Sequence, residues 1–425
     1  MPADIRLYYS DPGLTRFEAT VVACREQEGR HIIVLDQTAF FPTSGGQPHD
    51  VGTLEVVTGV DHPSAPSDAA TRESGPRVVR VVDVAETADA GVQHVTDGPI
   101  DPGSVVCGTI DAARRFDHMQ QHTGQHILSA AFDRLFDART VGFHLGALVS
   151  TLDLDSVVSP DVIAQAESDA NRVVWENRPV TIRFATPEEA AALPLRKEPV
   201  KAGPLRLIDV AGYDLSACGG THVSRSGEVG IIAVRSWEKL RGGTRLEFLC
   251  GGRALASYRL LQDSVSRSLS LLSVAPEDLP EAIERAQLDN KSLRRTIRAL
   301  QEKLASHEAA SLLARGQRES GAIVIVETVE EWDQAGLKGI ASAAASTPGV
   351  VAGLLTSTDP ALVVIARAAD VSLDAGAVLR ELLDTFGGRG GGKADLAQGG
   401  GLRGTPGDLE TALRGFIRRG LQPSS

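Results

Sequence analysis

Two short segments hold the residues best suited to chemistry: His122-Thr-Gly-Gln-His126 and, much later in the chain, Cys218-Gly-Gly-Thr-His222. On a helix, histidines four positions apart project from one face about one turn from each other. The small residues between Cys218 and His222 allow a tight turn that brings thiol and imidazole inward. Three nitrogens and one sulfur make a donor set that suits tetrahedral zinc. Each pair by itself is weak, since such pairs also occur incidentally; joined in one chain they reinforce each other. Four protein ligands are the count of a structural site, whereas a hydrolytic zinc usually keeps a position for water or substrate. A displaced ligand or an expanded coordination shell reconciles the count with hydrolysis. His118, one turn before His122, competes as a ligand; the alternatives put it behind the ligands or in solvent.

A second constellation is Thr38-Ala-Phe-Phe-Pro-Thr-Ser-Gly-Gly-Gln47-Pro-His-Asp-Val-Gly52. Read plainly it is a turn, with Gly45 and Gly46 taking unusual dihedrals and Pro48 stiffening the exit. Read functionally, the glycines let backbone approach a ligand, while Thr38 and Gln47 are neutral groups able to hold an amino acid or ribose. The third runs from Gly387 through Arg389, Lys393 and Gln398 to Gly401, with Arg403 just beyond. Exposed amides and cations there could cradle phosphates. It lacks the Gly-Lys-Ser/Thr ending of a Walker loop, and composition alone favours a flexible surface loop.

The elements that must position these groups follow from periodicity. Up to about residue 110, short β-branched runs at 19–24, 31–36, 52–57 and 77–84 alternate with turn residues and predict a small all-β unit. Residues 61–76, rich in Pro, Ser, Asp and Ala, read as an exposed loop. From Asp111, Phe116, Met119, Ile127, Ala130, Ala131 and Leu135 recur at helical spacing and predict one long helix carrying both histidines. A helix at 161–177 and strand-like runs TIRFAT, RLIDV, GIIAV and TRLEFLC complete an α/β or α+β body. Within 281–314, Ala286, Leu293, Ile297, Leu300 and Leu304 form a coiled-coil-like stripe. Its partner is either a second chain or the helix at 255–272 folded back. After Gly316, AIVIVE and ALVVIARA flank an alanine-rich helical segment, and a last helix follows the glycine-rich loop. This predicts a separate small α/β domain.

Bulk properties bound the function. A chain of 425 residues predicts several domains, and 42% hydrophobic with 23% charged residues is the composition of a folded soluble protein. The start lacks a secretory pattern, and no stretch approaches the ~18 apolar residues of a membrane span, so a cytoplasmic location is expected. Four scattered cysteines, Cys24, Cys107, Cys218 and Cys250, are too few to staple such a chain. A net charge of −12 excludes indiscriminate coating of nucleic acid and leaves room only for a local basic surface.

The motif order, FFPTSGGQPHDVGTL, then HTGQHIL, then CGGTHV, resembles the editing half of alanyl-tRNA synthetases and the free-standing AlaX-type alanyl-tRNA editing proteins. GGRGGGKADLAQGGG is similar to the glycine motif of the DHHA1 domain found in the long AlaX form. The resemblance implies a multidomain α+β fold. Its parts are an N-terminal β-barrel-like domain at 1–110 and an α/β editing domain at 111–254, of the threonyl/alanyl-tRNA synthetase second-additional-domain type. A helical linker at 255–316 and a C-terminal α/β DHHA1 domain at 317–425 complete it. It further implies ATP-independent hydrolysis of serine or glycine wrongly esterified to tRNA(Ala); because such an ester is already activated, a positioned water and a polarised carbonyl are expected to suffice without a covalent nucleophile.

Carried over by position, His122, His126, Cys218 and His222 would bind one Zn2+. Thr38 would bond the hydroxyl of serine, Gln47 would line the same pocket beside Gly45 and Gly46, and Asp214 would contribute to the site. Arg389, Lys393, Gln398 and Arg403 would meet tRNA, and the helical stripe or the C-terminal domain would support a homodimer. Phe41 and Ser44 stand where the family commonly has tyrosine and glycine, which bears on pocket shape. No segment ahead of the β unit suits an ATP-binding aminoacylation core, so editing in trans is expected. The competing expectations are a non-catalytic tRNA-binding protein with a structural zinc and a zinc hydrolase of small esters or amides.

Overall fold

The computed structural model describes residues 5–57, 77–87, 91–196 and 204–422; the loop expected at 61–76 lies outside them. The chain divides into two compact units, 1–267 and 268–425.

Unit 1 begins with a closed barrel of β1 (Arg16–Gln27), β2 (Arg30–Leu35), β3 (Gly52–Val56), β4 (Val78–Thr87), β5 (Gly91–Thr96) and β6 (Val105–Ile110). The strands run in the order β1-β2-β5-β4-β3-β6, and every described pairing within the barrel is antiparallel. Alternation in β1 sends Phe17, Ala19 and Val21 inward to meet Ile33, Leu54 and Val106. Closure leaves the barrel no open edge. Four of these strands match the β-branched runs; β5 and β6 are additional.

Asp111 then caps α1 (Ala112–Phe136) by accepting from the Arg114 amide. The helix is more deeply enclosed than its apolar spacing suggests, because His118 to Phe132 are all buried. Phe116 and Leu135, expected on the core face, are 43% and 48% exposed at its ends. Around it lie β7 (Thr140–Leu145), β8 (Ser150–Leu154), α2 (Pro160–Trp175), β9 (Val180–Ala185), β10 (Leu205–Val210), β11 (Asp214–Ala217), β12 (Ile232–Leu240) and β13 (Gly243–Cys250). The strands form a four-stranded sheet, β12-β13-β8-β7, and a three-stranded sheet, β9-β10-β11. Ile127, Leu128 and Phe132 pack with Val173, Ile208, Leu246 and Phe248 into one core. The helix that carries the histidines is thereby fixed by dense packing rather than by its own propensity.

The unit boundary falls within α3 (Gly251–Leu272), and unit 2 continues with α4 (Leu279–Arg315), β14 (Gln317–Glu319), β15 (Ala322–Val329), α5 (Gln334–Ala345), β16 (Val350–Thr356), β17 (Ala361–Arg367), α6 (Ala375–Phe386), β18 (Arg389–Gly392), β19 (Leu396–Leu402) and α7 (Pro406–Gly420). Its mixed sheet runs β14-β15-β16-β17-β19-β18. Strand β16 is buried along its whole length, feeding Val351 and Leu355 to one core and Val350, Ala352 and Leu354 to the other. Ala305, Ala309 and Leu312 bury the end of α4 against α5. The earlier stripe residues Leu293, Ile297, Leu300 and Leu304 are each more than half exposed.

The glycine-rich segment corrects the expectation of a flexible loop. It is a hairpin, with Arg389 paired to Gly400 and Gly392 to Ala397 at the sheet edge. A side chain at Gly392 would strike the backbone of the opposing strand, so the close pairing requires glycine there.

Candidate metal centre and its cavity

Helix α1 presents His122 and His126, and the turn leaving β11 presents Cys218 and His222. One ligand atom from each lies within 4.8 Å of the others. Cys218 Sγ is 3.3 Å from Nε2 of His122 and 3.3 Å from Nε2 of His222. The turn between the two ligands approaches the helix closely. A Cβ at Gly220 would collide with the His122 ring, so only glycine lets the cysteine segment reach the histidines.

Each imidazole is oriented from behind. His122 Nδ1 sits 2.8 Å from Gln47 Oε1, His126 Nδ1 3.0 Å from Asp214 Oδ2, and His222 Nδ1 3.1 Å from Thr123 Oγ1. With an amide or carboxylate oxygen as acceptor, the proton stays on Nδ1 and Nε2 is left to bind. Gln47 is itself fixed, donating to Thr221 Oγ1 at 2.7 Å and accepting from the Thr221 amide at 3.0 Å. Asp214 is held by Arg196 Nε at 2.6 Å and by the Ser216 hydroxyl.

The electrostatics favour ligand-ready forms. Burial opposes charge on Cys218, but the neighbouring His122 and His222 imidazoles hold its thiol well below the ordinary range. Burial also opposes the Asp214 carboxylate, yet the bond from His126, reinforced by Arg196, brings it down to about 2. For His126 burial again disfavours charge, and the Asp214 bond outweighs it, pushing the imidazole up to about 9. His222 falls to about 3, through burial and then the nearby His122. A dication entering this set would displace the His126 proton and meet a thiolate. The convergent Nε2 and Sγ atoms, with each Nδ1 already engaged, fit zinc.

The cluster forms one wall of a cavity of about 820 Å3. His122, His126 and Cys218 face it, alongside Tyr9, Gly45, Phe143 and Arg206. That volume lies within the range of small-molecule sites. The loop bearing Gly45 is pinned to α1 by a buried ion pair, Asp50 with Arg115; Asp50 also accepts from the Phe41 amide and Arg115 donates to the Pro12 carbonyl.

Several expected positions are revised. Thr38 is buried, its Oγ1 2.8 Å from His94 Nε2 and accepting from the Phe40 amide, so its hydroxyl is already engaged; Thr38 is not among the cavity-lining residues. Gln47 does not line the cavity either, being fully buried behind His122. Asp214 stands behind His126 in the same manner. His118 is buried outside the four-atom cluster, neither facing solvent nor joining the ligands, and burial first and Arg114 next depress it to about 4. Gly45 lines the cavity, and Gly46 backs onto the Phe143 ring. Within unit 2, Arg389, Lys393 and Arg403 are exposed and Gln398 is half-buried on the hairpin. Sequence reasoning passed over Thr123, Asp50 and Arg115. Thr123 lies inside the histidine motif, and Arg115 precedes His122 by two helical turns, so spacing offered a signal for both.

Comparison with known proteins adds two family matches. The threonyl and alanyl tRNA synthetase second additional domain matches residues 205–247, and the DHHA1 domain matches 321–418. Alanyl-tRNA editing protein AlaX-L of Pyrococcus horikoshii is 31% identical over 93% of this chain and 94% of its own. Alanyl-tRNA editing protein Aarsd1 of Mus musculus is 33% identical over 70% of this chain and 71% of its own. Alanine-tRNA ligase of Methanoculleus marisnigri is 33% identical over 94% of this chain, which spans 42% of that ligase.

Proposed function

The chain belongs to the AlaX-type alanyl-tRNA editing family, and from that premise we propose that it hydrolyses the ester joining serine, or glycine, to tRNA(Ala), acting in trans and charging no tRNA itself. The observation that carries the reading is the convergence of His122, His126, Cys218 and His222, the first three of which line a cavity large enough for an aminoacylated adenosine. One Zn2+ held by these four would supply a Lewis acid beside the ester. Gln47, Asp214 and Thr123 keep the imidazoles aimed. Gly45 and Phe143 shape the wall and help to exclude water from the bound acyl group.

An aminoacyl ester is already activated, so orientation can supply much of the acceleration. Selectivity is the harder demand: an apolar synthetase pocket rejects an added hydroxyl poorly, and a second site that prefers the hydroxylated product corrects the error. In this reading Thr38 acts on selectivity through His94 and the Phe40 backbone, and Gln47 and Asp214 act through the ligands. Arg389, Lys393 and Gln398 on the unit 2 hairpin, with Arg403 just beyond it, contact the tRNA backbone, and the exposed α4 stripe or the C-terminal domain joins two copies. The four-part division at 110, 254 and 316 and a cytoplasmic location belong to the same proposal; no described helix is long and apolar enough to cross a membrane.

Incubating the zinc-loaded chain with seryl-, glycyl- and alanyl-tRNA(Ala) and with free seryl esters, and following amino-acid release, tests the proposal. Strong preference for seryl- or glycyl-tRNA supports it. Equal cleavage of free esters points to a small-ester hydrolase. tRNA binding without release favours the second reading, a structural zinc, which the count of four protein ligands would suit.

A further inference from the structure

Five buried side-chain atoms among the described residues lack a hydrogen-bond partner: His118 Nδ1, Gln125 Oε1, Ser150 Oγ, Arg206 Nη2 and Thr328 Oγ1. Only Gln125 and Arg206 of these line the cavity. Both are more than nine-tenths buried, at 2% and 8% exposure. Leaving a buried amide oxygen or guanidinium nitrogen unpaired is costly, so such atoms call for a partner that arrives from outside.

The rest of each side chain is already fixed. Gln125 Nε2 donates to Ser129 Oγ at 2.7 Å, and that oxygen also accepts from Thr140 Oγ1. Arg206 Nε donates to the Tyr9 carbonyl at 2.9 Å, and Nη1 to the carbonyls of Cys218 and Gly220 at 2.7 and 2.9 Å. Each therefore offers a single free atom in a preset orientation. Gln125 lies between the two histidine ligands on α1, and Arg206 grips the turn bearing the cysteine, so both border the cluster.

The two atoms have opposite polarity. An aminoacyl ester has matching groups: an α-ammonium that only donates, and ester oxygens that only accept. A guanidinium repels the ammonium, whereas a neutral amide oxygen accepts from it. No carboxylate pairs with Arg206 among the described contacts, which leaves its free N–H suited to an oxygen that gains negative charge. Resting on the editing reading above, we infer that Gln125 Oε1 receives the α-ammonium of the substrate and Arg206 Nη2 donates to its ester carbonyl oxygen, making these two residues the reader of the aminoacyl group.

The test uses the full zinc-loaded chain with seryl-tRNA(Ala) and its N-acetylated form under single-turnover and steady-state conditions. Gln125→Met should slow release of unmodified serine about ten- to hundredfold while leaving the N-acetyl substrate nearly unchanged. Gln125→Glu, which keeps an acceptor, should retain the preference for the free amine. Arg206→Lys should lower kcat by about 100- to 1000-fold with KM within a few-fold. Equal loss on both substrates for Gln125→Met, or a rise in KM alone for Arg206→Lys, overturns the pairing. Loss of zinc from either variant assigns that residue a structural role and also overturns it. A wild-type chain inactive on seryl-tRNA sinks the functional reading and the inference together; an active wild type with unaffected variants sinks the inference alone.

Discussion

The two units of this chain have unlike interiors. Among the described residues, every buried polar or charged side chain except Thr356 lies in unit 1. In unit 2 the sheet packs Val324, Val326, Val351, Leu355, Val363 and Ile365 against helices, and the cations of the hairpin stay at the surface. Around α1, unit 1 encloses His118, His122, His126 and His222, together with Gln47, Gln121, Gln125 and the ion-paired carboxylates of Asp50 and Asp214. Such an interior is costly unless each group is satisfied. The contrast separates two kinds of work: an interior arranged for chemistry in one unit, and a packed platform that displays charge in the other.

Removal of one of the four converging side chains should have the largest effect, and it should fall on unit 1 alone. Cys218→Ala should abolish stoichiometric zinc and deacylation together, with unit 2 still melting as in the wild type. Metal analysis and release of serine from seryl-tRNA check it, and one equivalent of retained zinc would exclude Cys218 from the ligand set. Next in size are the groups that aim the imidazoles. Asp214→Asn and Gln47→Ala should each weaken zinc binding by about 10- to 100-fold, measured by competition with a chelator. Replacing the carboxylate by an amide keeps shape and loses charge, so an unchanged affinity for Asp214→Asn would mean that orientation alone matters.

These groups also mark how far the sequence could be read. The four converging side chains were legible because each pair is local: four positions on a helix, or four across a glycine turn. Their supports were not, since Gln47 and His122 are 75 positions apart and Asp214 and His126 are 88 apart. No periodicity encodes such contacts; the segment leaving the barrel, pinned by Asp50 to Arg115, brings Gln47 to His122, and the three-stranded sheet brings Asp214 to His126. Hence Gln47 and Thr38 read as pocket residues, whereas one backs the His122 imidazole and the other bonds His94. In unit 2, β16 is buried on both faces and escaped the reading because strand alternation disappears when neither face meets water; the helix α6 escaped it too. The glycine hairpin escaped it as well, since glycine carries little strand propensity and pairs here through backbone alone.

A smaller effect probes the platform. Arg389→Ala combined with Lys393→Ala should weaken tRNA binding while leaving zinc content and cleavage of saturating substrate intact. The slope of log affinity against log salt should become shallower by about 0.7–0.9 for each phosphate that is no longer neutralised. An unchanged slope would remove the hairpin from the RNA interface and leave unit 2 a purely structural neighbour.

The smallest expected effect concerns how unit 2 carries charge without burying it. Glu319 accepts from Arg418 Nε at 2.8 Å and from Arg414 Nη1 at 3.1 Å. The Arg418 bond, against partial burial and with help from Arg414, holds its carboxyl below the ordinary glutamate value. A carboxyl whose folded value is depressed binds fewer protons than in the unfolded chain. Its stabilisation is therefore present above the unfolded value of 4.5 and is lost as pH falls through the folded one. Glu319→Gln should lower the Tm of unit 2 by at most about 2–4 °C at neutral pH, and the difference from wild type should vanish in acid. Thermal melts at neutral pH and below the glutamate range check this. A deficit that persisted in acid would mean that the two arginines depend on the shape of the side chain rather than on its charge, and unit 2 would then share the buried polar dependence that distinguishes unit 1.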